Sequence, residues 1–286
     1  MKLIDGKKIS SEIKEELKKE IVFLKTKDIV PTLVIVQVGN NQASNVYVRN
    51  KIKLSNELGA NTSLLHFDED VTEEHLLQEI KNLNEDDTVN GILVQLPLPK
   101  HIDENKIIEH ISPIKDVDCF HLENVGKLWT AKNKYDGLLP CTPAGIIELL
   151  KRSDIQIAGK NVVILGRSNI VGKPMAALFL LENATPTICH SKTQNIKEVC
   201  SKADILIISI GQAKFITKDY VSSHMDVIDV DMDRDENNKL CGGADFENIK
   251  DIVNSISPVP GGVGPMTIVM LMKNLITVCK IQNKIS

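Results

Sequence analysis

Residues 161–184, NVVILGRSNIVGKPMAALFLLENA, read as a short apolar strand, a glycine-containing turn and then an apolar helix. That succession is one βα unit of a parallel sheet, and the rest of the chain repeats it. After it come strand-like runs at TPTICHS (185–191), ADILIISIG (203–211), MDVIDVDM (225–232) and NSISPVP (254–260). Before it come TLVIVQVG (32–39), NTSLLHF (61–67) and VNGILVQL (89–96), with amphipathic helices near 42–58 and 72–84 and a charged one over 8–27. The class is α/β, with two α/β domains flanking a cleft and the second a Rossmann-like parallel sheet. A less regular stretch, about 112–142, holds KDVDCF and YDGLLPCTP and reads as the connection and cleft floor. The boundaries follow as 1–120 for the first domain and 121–266 for the second. The final helix, 267–286, is apolar on most faces and is predicted to return, buried, to the first domain.

Composition narrows the function classes. The 286 residues carry 42% hydrophobic content, enough for a substantial core in two modest domains. A formal net charge of -4 leaves no basic footprint for nucleic acid. The six cysteines are far apart, without C-x-x-C spacing, and read as reduced thiols of a cytoplasmic protein. The amino-terminal MKLIDGKKIS has no apolar signal core, and no later run is read as the roughly 20 apolar residues of a membrane span.

The turn in the opening stretch is the first candidate site. Backbone N–H groups at the start of a helix that follows a strand hold pyrophosphate well. Gly166 and Gly172 fall short of a full G-x-G-x-x-G, so their spacing alone also fits an ordinary tight turn. An NAD site carries an acid about 20 residues further on, at the end of the next strand, to bind the ribose 2′-hydroxyl. Here that strand ends in His190, Ser191, Lys192 and Thr193, without an acid, while Arg167 and Ser168 stand in the turn. Cationic and hydroxyl groups in place of a carboxylate favour a 2′-phosphate, and so NADP. The segment SPVPGGVGPMT (257–267) is too rich in proline and glycine for a strand interior and suits a close approach of backbone to a flat ligand.

In the first half, NQASNVYVRNKIKLSNELG follows the strand at 32–39 as a helix, and its early residues lie at the carboxyl end of that strand. Ser44, Tyr47 and Lys51 fall at i, i+3 and i+7 and share one face. A lysine turned into a dry cleft is a proton-transfer group, whereas on a surface it only covers apolar neighbours with its stem. Gln95 stands at the end of GILVQLPLP, and Asp116 and Asp118 lie in the connection as turn formers, helix caps or ligands.

Together YVRNK, GILVQLPLP, KDVD, LPCTPAG, GRSNIVGKP, CHSKT and PVPGGVGPMT, in this order along the chain, resemble the bifunctional methylenetetrahydrofolate dehydrogenase/methenyltetrahydrofolate cyclohydrolase family. The resemblance implies NADP-dependent oxidation of 5,10-methylenetetrahydrofolate and hydrolysis of the methenyl product to 10-formyltetrahydrofolate, without a metal. It implies Lys51 as the proton-transfer group, Gln95 as the amide that holds it, Tyr47 as the ring that stacks on folate and Asp118 as the anchor of the pterin. Ser44, Gly262, Pro265 and Thr267 are the further substrate positions it implies. Gly166, Arg167, Ser168, Ser191 and Met232 are the cofactor positions, and a homodimer is the expected assembly.

The chain departs from the family pattern in three places. Cys119 follows KDVD where glycine is usual. Asp231 stands where D-V-G-I-N is expected, and Gly243 where L-V-G-D-V-D-F places an acid. The last two leave the residues that position the nicotinamide less closely matched to the family than those on the folate side. A short-chain alcohol oxidoreductase shares the Y-x-x-x-K spacing, but its tyrosine follows the glycine turn instead of preceding it. A nucleotide-binding scaffold without chemistry is the remaining alternative.

Overall fold

The computed structural model describes residues 2–132 and 137–285. Its elements begin with β1 (Lys2–Leu3), α1 (Gly6–Lys25), β2 (Thr32–Val38), α2 (Gln42–Leu58), β3 (Asn61–Phe67), α3 (Glu73–Glu85), β4 (Gly91–Val94), α4 (Glu104–His110) and α5 (Leu122–Thr130). They continue with α6 (Cys141–Arg152), β5 (Asn161–Leu165), α7 (Gly172–Leu181), β6 (Thr185–Cys189), α8 (Ile196–Ser201), β7 (Ile205–Ile208) and β8 (Asp226–Asp229). The last are β9 (Asp233–Arg234), β10 (Leu240–Cys241), α9 (Phe246–Ile249), β11 (Ser255–Ile256) and α10 (Val263–Gln282).

The chain packs as two compact units. One takes Glu12–Lys127, Gly137–Leu139 and the residues from Ile268 onward, and the other takes the start of the chain up to Ser11, the stretch from Leu128, and Pro140–Thr267. In the first unit three parallel strands run in the order β3-β2-β4. β2 is apolar along nearly its whole length because both its faces are covered, as a central parallel strand requires. Val34, Val36 and Val38 meet Leu76 and Ile80 of α3 and Ile107 of α4. Ile13, Leu17, Ile21 and Leu24 bury the apolar stripe of α1 at helical spacing.

The second unit is a six-stranded parallel sheet in the order β1-β11-β8-β7-β5-β6. Strands β5 and β7 are fully apolar and buried apart from Asn161, and residues such as Leu165, Leu206, Ile208 and Val227 form its core. In both sheets the chain places one neighbour beside a strand, then crosses to its other side. The order reverses at β2 in the first unit and at β5 in the second, and ligands of open α/β sheets bind at the carboxyl ends of such strands.

Three differences from the sequence reading have physical causes. The amino-terminal residues, read as part of the first domain, form β1 and pair with β11 of the six-stranded sheet. A two-residue strand carries no periodicity to read. The connection at 112–142 contains α5, whose start is held by the Asp116 carboxylate through the backbone of His121 and the side chain of Asn124. Tyr135 and Asp136 of YDGLLPCTP lie outside the described residues. Finally, α10 is long and apolar enough by length and composition to cross a membrane, contrary to the reading of the sequence, and 56% of the tested stretch is buried inside the protein. Its contacts are those of a core helix. Asn274 donates to the carbonyls of Val117 and Leu139 at 2.8 and 2.7 Å, and Lys280 pairs with Glu20 of α1. All six cysteines are free, and only Cys241 is not buried.

Gly91 admits α10 to this packing. A Cβ there would lie 2.5 Å from Val117 Cγ1 and 3.0 Å from Leu275 Cδ1. Gly91→Ala is expected to cost about 1–3 kcal/mol by overpacking, read as a lower urea midpoint at unchanged slope.

Candidate active site

At the reversal point of the three-stranded sheet, β2 ends and α2 begins within a few residues. Asn41 caps α2 by accepting from the Ser44 backbone at 3.1 Å, which satisfies an amide the helix start would otherwise leave open. Gln37, buried at the end of β2, donates to Asn45 and ties the strand to the first turn of the helix. The predicted face forms as expected. Ser44 and Lys51 are buried and Tyr47 is half-buried, with its phenol pushed above its ordinary value by burial.

Lys51 is 8% exposed, and its Nζ donates to Gln95 Oε1 at 3.0 Å. Gln95 is the first residue after β4, and its backbone N–H still donates to Val36 of β2 at 2.8 Å. Its side-chain Nε2 donates to the Leu96 carbonyl at 2.7 Å, so both ends of the amide are committed and its orientation is fixed. The Ser44 hydroxyl reaches the same Leu96 carbonyl at 3.5 Å. The structure therefore gathers Ser44, Tyr47, Lys51 and Gln95 at the carboxyl ends of β2 and β4. The lysine's partner is an amide, which positions the nitrogen.

Asp118 lies in the same unit, on the turn between β4's neighbouring segment and α5. Asp116 pairs with Ile92 as an isolated parallel bridge, extending the sheet by one residue. Its carboxylate, raised by burial, accepts from His121 N at 2.8 Å and Asn124 Nδ2 at 3.0 Å. Of the two acids in KDVD, Asp116 is thus the structural cap. Asn274 holds the carbonyl of Val117, immediately before Asp118. Cys119, immediately after it, takes φ 61, the left-handed region that favours glycine. The turn survives the departure because the buried thiol donates to the Leu138 carbonyl at 3.1 Å, and burial with the adjacent acids holds that thiol far above its ordinary pKa. Asn274 was not singled out in the sequence, although an asparagine inside an otherwise apolar helix was a readable signal.

In the second unit, Gly166 follows β5 at the reversal point with φ 120, open only to glycine, and a Cβ there would lie 2.0 Å from the Ser209 carbonyl. Gly172, the first residue of α7, packs so closely that its Cβ would lie 2.2 Å from the Gly166 carbonyl. Ser168 Oγ accepts from Val171 N at 3.0 Å and Gly172 N at 3.3 Å, which leaves its one hydrogen to donate outward. Arg167 is exposed beside it. After β6, His190 Nδ1 accepts from Lys192 N at 3.1 Å and Thr193 Oγ1 from His190 N at 2.9 Å, building a turn that presents the exposed Ser191 and no carboxylate. These groups suit a dinucleotide with a 2′-phosphate.

The 257–267 segment belongs to this unit too. The Gly6 position approaches the Gly262 carbonyl, Lys7 N donates to Gly261 O at 3.1 Å, and Thr267 Oγ1 meets Thr142 Oγ1 at 3.0 Å. Pro265 lies in the first turn of α10, where a missing N–H costs nothing. Met232 is 43% exposed, and its Cε lies 3.9 Å from where a Cβ on Gly264 would stand, so this cofactor candidate adjoins the glycine-rich segment.

Comparison with known proteins accords with this geometry. Residues 4–118 match the catalytic domain of tetrahydrofolate dehydrogenase/cyclohydrolase, and residues 140–283 match its NAD(P)-binding domain. The bifunctional protein FolD of Lachnoclostridium phytofermentans is 56% identical over 274 residues, 96% of each chain. The crystal structure of the bifunctional FolD methylenetetrahydrofolate dehydrogenase/cyclohydrolase from Campylobacter jejuni superposes with a TM-score of 0.95 at 45% identity, covering 98% of this chain and 99% of that one. The FolD of Trypanosoma brucei, solved with NADP cofactor and inhibitor, gives a TM-score of 0.93 at 35% identity over 99% of this chain and 98% of that one. The chain belongs to the tetrahydrofolate dehydrogenase/cyclohydrolase family.

Proposed function

We propose a division of labour in which the three-stranded unit, with the carboxy-terminal helix, carries folate and the water chemistry, and the six-stranded unit carries the cofactor. The reaction is the family's. 5,10-Methylenetetrahydrofolate is oxidised to the methenyl cation with NADP, and the cation is hydrolysed to 10-formyltetrahydrofolate. The observation that carries the assignment of roles is the buried Lys51 held by Gln95 at 3.0 Å at a strand-order reversal.

In this reading the substrate is positioned before it reacts. Tyr47 stacks on the folate ring, and Asp118 accepts from the amino group and ring N–H of the pterin, a two-donor edge matched to an ionised carboxylate. Ser44, Gly262, Pro265 and Thr267 complete the substrate contacts. Gly166, Arg167, Ser168, Ser191 and Met232 would hold NADP, which would supply the hydride acceptor for the one-carbon bridge. For that step the protein contributes orientation above all.

The hydrolytic step starts from a carbon that is already cationic. Water adds to it, one proton leaves the attacking oxygen, and opening of a carbon–nitrogen bond yields the formyl group. Lys51, in its amine form, takes the proton at Nζ, and Gln95 sets where that nitrogen points. We read the protein as a cytoplasmic homodimer with neither nucleic acid nor membrane as partner. The -4 net charge and the free, mostly buried thiols support the cytoplasmic reading.

Lys51→Met is expected to slow hydrolysis of supplied methenyltetrahydrofolate by about 100-fold or more, with an unchanged melting temperature. A variant as fast as the parent removes Lys51 from the chemistry, and a parent no faster than buffer supports the scaffold alternative. Arg167→Ala is expected to raise KM for NADP by about tenfold while leaving KM for NAD nearly unchanged, as measured by initial rates of cofactor reduction.

A further inference from the structure

Strands β7 and β8 are neighbours, with Ile208 opposite Asp229, so the turns that follow them leave the sheet side by side. Two carboxylates occupy the space between those turns. Asp229, 3% exposed, accepts from Gly243 N at 3.1 Å, Ala244 N at 2.8 Å and Asp231 N at 3.2 Å. Asp231 reaches the other way. Its Oδ2 accepts from Ile210 N at 3.1 Å, and its carboxylate also receives the N–H of Gly211. Burial raises both acids, Asp229 to about 7, so a third carboxylate here would pay the same desolvation penalty as well as lack room.

The room is measurable at Gly243. A Cβ added there would lie 2.5 Å from Asp231 Oδ2 and 2.6 Å from Ile208 Cγ2. The Asp231 carboxylate and the Ile208 side chain together therefore fill the volume a side chain at 243 would enter. The turn it clamps is not remote from the nucleotide loop. Ser209, one residue before Ile210, donates its N–H to Leu165 O at 2.8 Å, and its carbonyl is the group that Gly166 approaches so closely that no Cβ fits. Contacts thus run from the Asp231 carboxylate to the 210–211 turn, to Ser209 and to Gly166.

We propose that Asp231 is a positioning residue for the cofactor, and that Asp231 and Gly243 form a reciprocal pair: one carboxylate, supplied from either position but never from both, fixes the 209–211 turn against the nucleotide loop. The two departures from the family pattern then compensate each other. The inference rests on the reading of this unit as the NADP site.

The test is a double-mutant cycle on the full chain, read by calorimetric NADP binding, thermal melting and hydrolysis of methenyltetrahydrofolate supplied without cofactor. Asp231→Gly is expected to weaken NADP binding about tenfold, the order of a lost hydrogen bond to a charged group, with cofactor-free hydrolysis unchanged. Gly243→Asp alone is expected to weaken NADP binding at least as much or to lower the melting temperature. D231G/G243D is expected to recover parental binding within about threefold, and Asp231→Asn, which keeps an acceptor for the two amides, to stay near the parent. Unchanged binding in D231G, or a double variant no better than the worse single one, overturns the pairing. A parent that binds no NADP overturns the cofactor reading itself, a result distinct from either.

Discussion

The structure depends on one topological constraint: a parallel sheet whose strand order reverses sends its crossover connections to opposite faces, and a crevice opens where they part. This chain meets that condition twice, at β2 and at β5. At each reversal the residues that follow the strand are those with chemistry to offer. After β2 they are Ser44, Tyr47 and Lys51 on one helical face, joined by Gln95 from the end of β4. After β5 they are Gly166, Arg167 and Ser168. The sheets themselves are ordinary apolar cores, and the polar groups at their carboxyl ends are held by short local bonds such as Asn41 to Ser44 and Ser168 to Gly172.

How the polar groups are held explains why a lysine can be buried at all. Removing an ammonium from water is costly unless it finds a partner. A carboxylate partner would satisfy Lys51 but favour its protonated form. The Gln95 carbonyl satisfies one donor and leaves the nitrogen available. Gln95 is held in turn by Leu96 and by the ladder to Val36, so the precision of the site is drawn from the sheet. The Asp118 turn follows the same rule. It is fixed from three sides by the Asp116 cap, by Asn274 on Val117 and by Cys119 on Leu138.

Much of this was legible in the sequence wherever the signal was local. The strands at β2 and β3 stand where alternation and apolar runs put them, and the i, i+3, i+7 face of α2 carries the buried lysine. What was not legible is tertiary. The start of α5 is capped from Asp116, whose place in the sheet no window of sequence reveals. β1 exists only because β11 offers an edge, and the glycines and proline of 261–265 read as a turn although the last of them already begin α10. Cys119, Asp231 and Gly243 stood out in the sequence as departures. Their resolution needed coordinates, since the thiol's bond to Leu138 and the space over Gly243 involve residues distant in the chain.

The central claim is that one chain joins a dehydrogenase on the second sheet to a hydrolase on the first. The most direct test is an absorbance time course of the purified protein with 5,10-methylenetetrahydrofolate and either NADP or NAD, beside a second run with methenyltetrahydrofolate alone. The account predicts reduction of NADP in preference to NAD, and disappearance of the methenyl compound faster than in buffer. A folded protein that exceeds the enzyme-free control in neither run would contradict it.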